Sequence, residues 1–139
     1  MYLIQQAVAF REGFECEQQF KPEVFELQQN LIKEEFAEVM EACENSKASG
    51  HGVEASESLL KELADLVFVC YQMAAYMQWD LDYAMRLVFE SNMSKLGEDG
   101  KPIRREDGKV LKGPNYKPPC LTEIVTEFRS FHERLSPAD

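Results

Sequence analysis

The sequence predicts an all-α protein: a four-helix-bundle-type core, a short basic hairpin or loop, and a C-terminal helix. Apolar residues recur with the 3.6-residue period of an α-helix over most of residues 1–96, where the alternation typical of β-strands is almost absent. The length of 139 residues, with 45% hydrophobic and 29% charged residues, suits a compact chain with a real core. We therefore predict one domain over residues 1–139, with its core at 1–96, a basic lid loop at 97–120 and a last helix at 121–135.

The first two helices are predicted from an apolar stripe and a start signal. Residues 2–14 carry the stripe, which consists of Leu3, Ala7, Phe10 and Phe14. The second helix covers residues 22–45 and begins at Pro22, a residue favoured in the first helical turn. A connector rich in Ser, Gly and Glu is predicted over residues 46–58.

The third and fourth helices complete the predicted core. The third, over residues 56–78, is apolar nearly all round after Asp65, which predicts a buried central helix. Asp80 is a suitable N-cap for the fourth helix, and Gly97 is a natural stop for it.

The segment after the core has a different composition and an inverted charge. Residues 97–120 are rich in Pro and Gly, which predicts a hairpin or an ordered loop. Its basic residues, which outnumber its acids, are Lys101, Arg104, Arg105, Lys109, Lys112 and Lys117. The last helix is predicted from the register of Ile124, Val125, Phe128, Phe131 and Leu135.

The net charge of −10 argues against two classes of partner, nucleic acids and anionic membrane surfaces, because both would repel the protein. The longest apolar stretch, residues 66–77, is too short to span a bilayer, and no signal peptide is evident at the N-terminus. The four cysteines have no CxxC spacing, so we expect reduced core thiols in a cytoplasmic protein.

Acidic residues occupy positions of the second helix where core residues are expected. On a helical wheel Glu35 lies near the middle of the apolar arc, Glu38 lies within it and Glu34 lies at its edge. The apolar members of that arc are Val24, Leu27, Leu31, Ile32, Val39, Ala42 and Cys43. A carboxylate turned toward a core must be protonated, paired with a cation or bound to a metal.

The third helix repeats this pattern with Glu62 and Asp65, so five carboxylates are expected to meet along one seam. Lys33 and Lys61 are the nearby cations, and we expect both to project toward other faces. Oxygen ligands alone favour Mg²⁺, with Mn²⁺ as a substitute. The alternative is that E-E-x-x-E forms an ordinary polar stripe on a helix whose phase has been misjudged.

A second group of polar residues lies on the fourth helix, where Asn92 and Lys95 share the apolar stripe. Beside acids that hold metal and phosphate, Lys95 becomes a sensible phosphate contact, although it can also extend into solvent past the helix end. The basic segment supports the phosphate interpretation, because local cations offset the repulsion between an acidic protein and a polyanion. A solvated loop is the alternative.

The sequences LIKEEFAEVME at residues 31–41 and KELADLVFV at 61–69 resemble the E-E-x-x-E … E-x-x-D signature of the MazG-like, all-α nucleoside triphosphate pyrophosphohydrolases. AFREGF at 9–14 and NMSK at 92–95 are also similar to elements of that superfamily. The segment at 108–119 is similar to that of phage-type and small bacterial single-domain members. The superfamily includes dimeric dUTPases and phosphoribosyl-ATP pyrophosphohydrolases.

The resemblance implies hydrolysis of a (d)NTP to the monophosphate and pyrophosphate, with weak preference for a purine such as dGTP or GTP. It assigns metal binding to four acids, Glu35, Glu38, Glu62 and Asp65, and gives Glu34 the role of a further ligand or of orienting the attacking water. Substrate contacts would come from Lys95, Asn92, Phe14 and Lys112.

A dUTPase-like or phosphoribosyl-ATP specificity fits the same signature, and so does a helical nucleotide-binding module without catalysis. The resemblance also implies a homodimer or homotetramer, in agreement with a third helix that needs neighbours on every side. For a phage-encoded protein, the expected location is the host cytoplasm.

Overall fold

The structure, a computed structural model, describes residues 1–127. Its helices are α1 (Leu3–Gly13), α2 (Pro22–Ala48), α3 (Val53–Tyr76), α4 (Leu81–Met93) and α5 (Thr122–Thr126). Within residues 1–127 no strand forms, and the extended pairing is one isolated antiparallel bridge between Arg104 and Val110. The all-α prediction is confirmed. The chain divides into two compact units, Met1–Trp79 and Asp80–Asp139.

In the first unit, α3 packs against both α1 and α2. Ile4 and Ala7 of α1, with 2% and 0% of their surface exposed, are among its most buried apolar residues. The rest of this core consists of Val39, Ala42, Val69, Tyr71, Ala74, Ala75 and Tyr76. The acids of α2 and α3 therefore stand on two helices that are held directly against each other.

The predicted stripe on α1 is wrong at three of its four positions. Ala7 is buried, whereas Leu3, Phe10 and Phe14 are exposed. The helix instead buries Ile4, Ala7 and Arg11, which share one face at spacings of three and four residues. Arg11 can occupy the interior because its guanidinium donates a 2.8 Å hydrogen bond to the Glu17 carbonyl and lies over the Tyr76 ring.

Tyr76, at the C-terminal end of α3, forms hydrogen bonds with the segment that connects α1 and α2. Its hydroxyl accepts a 2.7 Å hydrogen bond from the Lys21 backbone N–H and lies 3.2 Å from the Gln19 carbonyl oxygen. Since α2 begins at Pro22, these bonds fix where α2 starts relative to α3. They lie far along the helices from the acids, but they set the register in which the acids meet.

Replacing Tyr76 by Phe is expected to lower the free energy of unfolding by about 1–3 kcal/mol, because it leaves the Lys21 N–H without its buried acceptor. Chemical denaturation measures the change. Tyr116→Phe is the matched control, because within residues 1–127 the Tyr116 hydroxyl makes no hydrogen bond. Equal stabilities of the two variants would show that the Tyr76 hydroxyl does not hold the connection.

The predicted connector at residues 46–58 is wrong in extent, because the helices are interrupted only at residues 49–52. The chain turns there through Gly50 and His51, whose φ angles of 64° and 60° lie in the left-handed region. Ser46, read as loop from its residue type, is a buried part of α2 with its hydroxyl 3.0 Å from His51 Nδ1. The local polar composition thus concealed two additional helical turns.

The prediction that α3 is buried all round holds only for its C-terminal half. Its buried residues begin at Val69, whereas Leu60, Leu63 and Val67 are exposed. Because these three residues are spaced three and four positions apart on α3, they form one exposed apolar stripe.

In the second unit, Asp80 is the N-cap of α4 as predicted, and its side chain accepts a 3.0 Å hydrogen bond from the Tyr83 N–H. The helix ends at Met93, before the predicted stop at Gly97. Leu111 N donates to the Ile103 carbonyl at 2.7 Å, beside the Arg104–Val110 bridge. The basic segment therefore contains the small hairpin that the sequence predicts.

Gly113 joins the basic segment to the end of α4. Its N–H donates to the Lys95 carbonyl at 2.9 Å, and a Cβ at this position would lie 2.5 Å from the Leu96 carbonyl oxygen. Only glycine permits this approach without a backbone shift. Of the C-terminal helix predicted over residues 121–135, only the short α5 (Thr122–Thr126) is observed, because the helix ends before Glu127; residues 128–135 lie outside the described residues.

From the sequence we expect no membrane-spanning helix and four reduced cysteines in the core. No helix within residues 1–127 has the length and apolarity needed to cross a membrane. All four cysteines are free thiols, and burial raises the pKa of Cys70. The expectation of core thiols is wrong for Cys120, which is exposed, while the other three are half-buried.

Candidate functional site

Three carboxylates from two helices meet in the first unit. Glu35 of α2 lies beside Glu62 and Asp65 of α3, and one oxygen from each lies within 4.8 Å of the other two. Glu62 and Asp65 share a face of α3 because they are three residues apart. We call Glu35, Glu62 and Asp65 the acid group. All three residues are half-buried.

Glu35 Oε2 is buried and has no hydrogen-bond partner within the described part of the chain. A buried, unpartnered carboxylate oxygen is costly unless a cation compensates for its charge. The acid group offers only oxygen ligands, which suit a hard divalent cation such as Mg²⁺ or Mn²⁺. The residues present therefore fit a divalent metal.

Glu38 lies next to the acid group although its side chain is exposed. A hydrogen bond shared with Glu62, together with the nearby negative charge of Glu35, raises the pKa of Glu38. The Glu38 carboxyl therefore lies close to that of Glu62. This places Glu38 at the border of the group, not in the interior.

The expectation that Lys61 projects toward another face is wrong. Its ammonium lies 2.8 Å from Asp65 Oδ2 and 3.2 Å from Glu62 Oε1. Asp65, and then Glu62, raises the pKa of Lys61. Its long stem allows this, because a lysine reaches the residue four positions later from an adjacent wheel position. Lys33 instead lines an open cleft of about 570 Å³ beside α2.

The expectation that all five acids turn into a buried seam is wrong for two of them. Glu34 and Glu38 are both exposed, and Glu34 is not part of the acid group. The wheel placed Glu34 at the edge of the apolar arc, and the observed buried stripe of α2, with Gln28, Val39, Ala42 and Ser46, leaves that edge in solvent.

The other predicted site residues divide between the units. Asn92, Lys95 and Lys112 belong to the second unit, where Asn92 and Lys112 are exposed and Lys95 is half-buried. Lys112 Nζ lies 4.7 Å from the centre of the Tyr116 ring. The hydrogen bond from the Gly113 N–H to the Lys95 carbonyl holds the backbone of Lys95 against Gly113, the residue that follows Lys112.

Phe14 lies in the first unit at the end of an aromatic row. Its ring, 71% exposed as a residue, stacks on Phe10 at 4.4 Å, and Phe10 meets Phe68 of α3 edge-on at 5.2 Å. Phe68 follows Asp65 by three residues, so the row reaches α3 one helical turn from the acid group. Sequence reasoning missed Phe68 and the contact of Lys61, although spacings of three and four residues from Asp65 were available as signals.

The sequence profile of the phosphoribosyl-ATP pyrophosphohydrolase family matches residues 5–92, more than half of the chain. The match contains the acid group, Glu34, Glu38 and Asn92, and it ends before Lys95. No curated protein shows a significant match to the chain. Members of this family are pyrophosphohydrolases that typically depend on a divalent metal.

The match spans α1, α2 and α3, the helices that build the acid group, and most of α4. The chain therefore belongs to the phosphoribosyl-ATP pyrophosphohydrolase family, within the MazG-like all-α superfamily of nucleoside triphosphate pyrophosphohydrolases.

Proposed function

We propose that the protein hydrolyses a nucleoside or deoxynucleoside triphosphate to the monophosphate and pyrophosphate, with Mg²⁺ as cofactor and Mn²⁺ as a substitute. The observation that carries the proposal is the acid group, with its unpartnered Glu35 oxygen, inside the region matched by a pyrophosphohydrolase family. The resemblance to phage-type members favours a purine such as dGTP or GTP. Phosphoribosyl-ATP is the second candidate, because the matching family carries its name.

In this proposal the metal is held by four carboxylates, those of Glu35, Glu38, Glu62 and Asp65. A bound divalent ion supplies charge neutralisation to the phosphates and acidifies water. Glu34 orients the attacking water and takes up its proton. Its carboxylate is exposed and makes no ion pair within residues 1–127, so it is free to accept a hydrogen bond.

Lys95 and Lys112 are proposed to bind the phosphates that leave as pyrophosphate. Lys95 and Lys112 form no ion pair with any carboxylate in the described part of the chain, so their charges remain available to an anionic ligand there. Such charges are needed because a protein of net charge −10 repels a polyanion. Asn92 is proposed to contact the sugar or a phosphate through its exposed amide.

The aromatic row is the proposed platform for the base. Phe14 offers an exposed ring face, and the stacking and edge contacts through Phe10 to Phe68 hold the row in place. Aromatic stacking tolerates different bases, since each base has a π-face. The E-E-x-x-E … E-x-x-D signature likewise indicates the type of reaction more closely than it indicates the base of the nucleotide.

We further propose a homodimer or homotetramer. The exposed stripe of Leu60, Leu63 and Val67 on α3 supports this, because a second copy of the chain would remove it from water. Light scattering of the purified protein reports the mass directly.

The test of the proposed function is a substrate panel of phosphoribosyl-ATP, dUTP and the common NTPs and dNTPs, each with Mg²⁺ or with EDTA. Pyrophosphate is expected from at least one substrate, with no turnover in EDTA. Release of orthophosphate, or turnover unaffected by EDTA, would contradict the proposed chemistry. Nucleotide binding without any turnover would favour the helical nucleotide-binding module.

A further inference from the structure

Lys61 brings a positive charge to the carboxylates that the proposed function assigns to the metal. Its ammonium lies 2.8 Å from Asp65 Oδ2 and 3.2 and 3.4 Å from the two oxygens of Glu62. Both oxygens of Glu62 are thus within reach of one ammonium. Glu35 is not among the ion-pair partners of Lys61, and its buried Oε2 has no hydrogen-bond partner among residues 1–127.

We propose that Lys61 is a built-in competitor of the divalent ion, which weakens the affinity of the acid group for metal alone. The inference rests on the proposed function, since it takes Glu35, Glu62 and Asp65 as the metal ligands. A dication bound by Glu62 and Asp65 would lie close to the ammonium that uses the same oxygens. The two like charges repel, and the carboxylates cannot fully serve both.

The competition is reversible because Lys61 is not enclosed. Its side chain is 63% exposed, and its flexible stem can move the ammonium into water when a metal binds. Lys61 therefore reduces metal affinity without blocking the site. Glu35 contributes an oxygen that the ammonium does not engage, which favours the metal over the lysine at that position.

Lys61 also affects whether the site binds the free metal ion or the metal–nucleotide complex. A metal–triphosphate complex carries net negative charge and is attracted by Lys61, whereas the free dication is repelled. Lys61 thereby favours the metal–nucleotide complex over the metal alone. This makes it a specificity-determining residue for the loading of the site.

The experiment compares Mn²⁺ binding, without nucleotide, by wild type, Lys61→Gln and Lys61→Arg. Free Mn²⁺ is counted by its electron paramagnetic resonance signal, so the readout is independent of activity. Lys61→Gln is expected to bind Mn²⁺ about 3- to 30-fold more tightly, the range expected for one partly screened charge near the ion. Lys61→Arg keeps the charge and is expected to stay within about twofold of wild type.

Lys47→Gln is the matched control, because Lys47 forms an exposed ion pair with Glu44 at 2.7 Å on α2 and is not an ion-pair partner of the acid group. Its Mn²⁺ affinity should equal that of wild type. A Lys61→Gln protein that binds Mn²⁺ no more tightly than wild type would overturn the inference while leaving the proposed function intact. A wild type that neither binds Mn²⁺ nor releases pyrophosphate would overturn the proposed function, and the inference with it.

Discussion

Glu62→Gln is expected to reduce pyrophosphate release by about 10²–10³-fold, the usual effect of losing one group that stabilises transition-state charge. Glu62 contributes an oxygen to the acid group, and its side chain is only 15% exposed. Glutamine keeps the shape and removes the charge, so the proposed metal site loses a central ligand. Initial rates at saturating Mg²⁺ and substrate measure the change.

The variant should remain folded, because it removes a crowded carboxylate and not an apolar contact. Circular dichroism and thermal unfolding check this. Glu57→Gln, an exposed change on the same helix outside the acid group, is the matched control and should keep the wild-type rate. A Glu62→Gln protein with more than half of the wild-type rate would remove Glu62 from the proposed site.

Glu38→Gln is expected to lower turnover by about 10²-fold and also to change how stability depends on pH. Glu62 and Glu35 raise the pKa of Glu38, so the folded protein holds this proton more tightly than the unfolded chain does. The resulting stabilisation is complete at acidic pH and is lost as the pH rises through the raised pKa of Glu38. The wild type in EDTA should therefore lose stability as the pH rises from the ordinary carboxyl range through the raised pKa of Glu38.

Glutamine at position 38 has no carboxyl group that can titrate, so this part of the pH dependence of stability should disappear. It is also expected to make the protein slightly more stable at pH 7 in EDTA, because one negative charge beside Glu62 is gone. Unfolding midpoints measured at several pH values in EDTA decide the point. Identical slopes for the variant and the wild type would contradict the proximity of Glu38 to the acid group.

The acid group was within reach of sequence reasoning because helical spacing is regular. Glu62 and Asp65 are three residues apart, and Glu35 lies seven residues from both Gln28 and Ala42, which are buried on α2. A wheel therefore places these three acids correctly. It fails for Glu34 and Glu38, which are both exposed. Glu34 lies at the edge of the predicted arc, where an error of a few tens of degrees decides between burial and exposure.

Other features depended on information that a wheel does not contain. The stripe of α1 was misplaced because Arg11 enters the interior. It does so through contacts with the Glu17 carbonyl, beyond the end of α1, and with the Tyr76 ring of α3, and a wheel of α1 contains neither. The contact of Lys61 was missed because a wheel fixes the direction of Cα–Cβ but not the path of a four-carbon stem. Ser46 was assigned to the connector from its residue type, and a wheel does not show the contact of its hydroxyl with His51 across the turn.

Glu35, Glu62 and Asp65 are proposed to bind a divalent ion between α2 and α3. The most direct measurement is the anomalous scattering of Mn²⁺ in crystals of the wild-type protein. We expect a peak within coordination distance of oxygens from all three carboxylates, and no such peak in crystals of Glu62→Gln. Enzymatically active wild-type crystals saturated with Mn²⁺ that show no peak among these carboxylates would contradict the account.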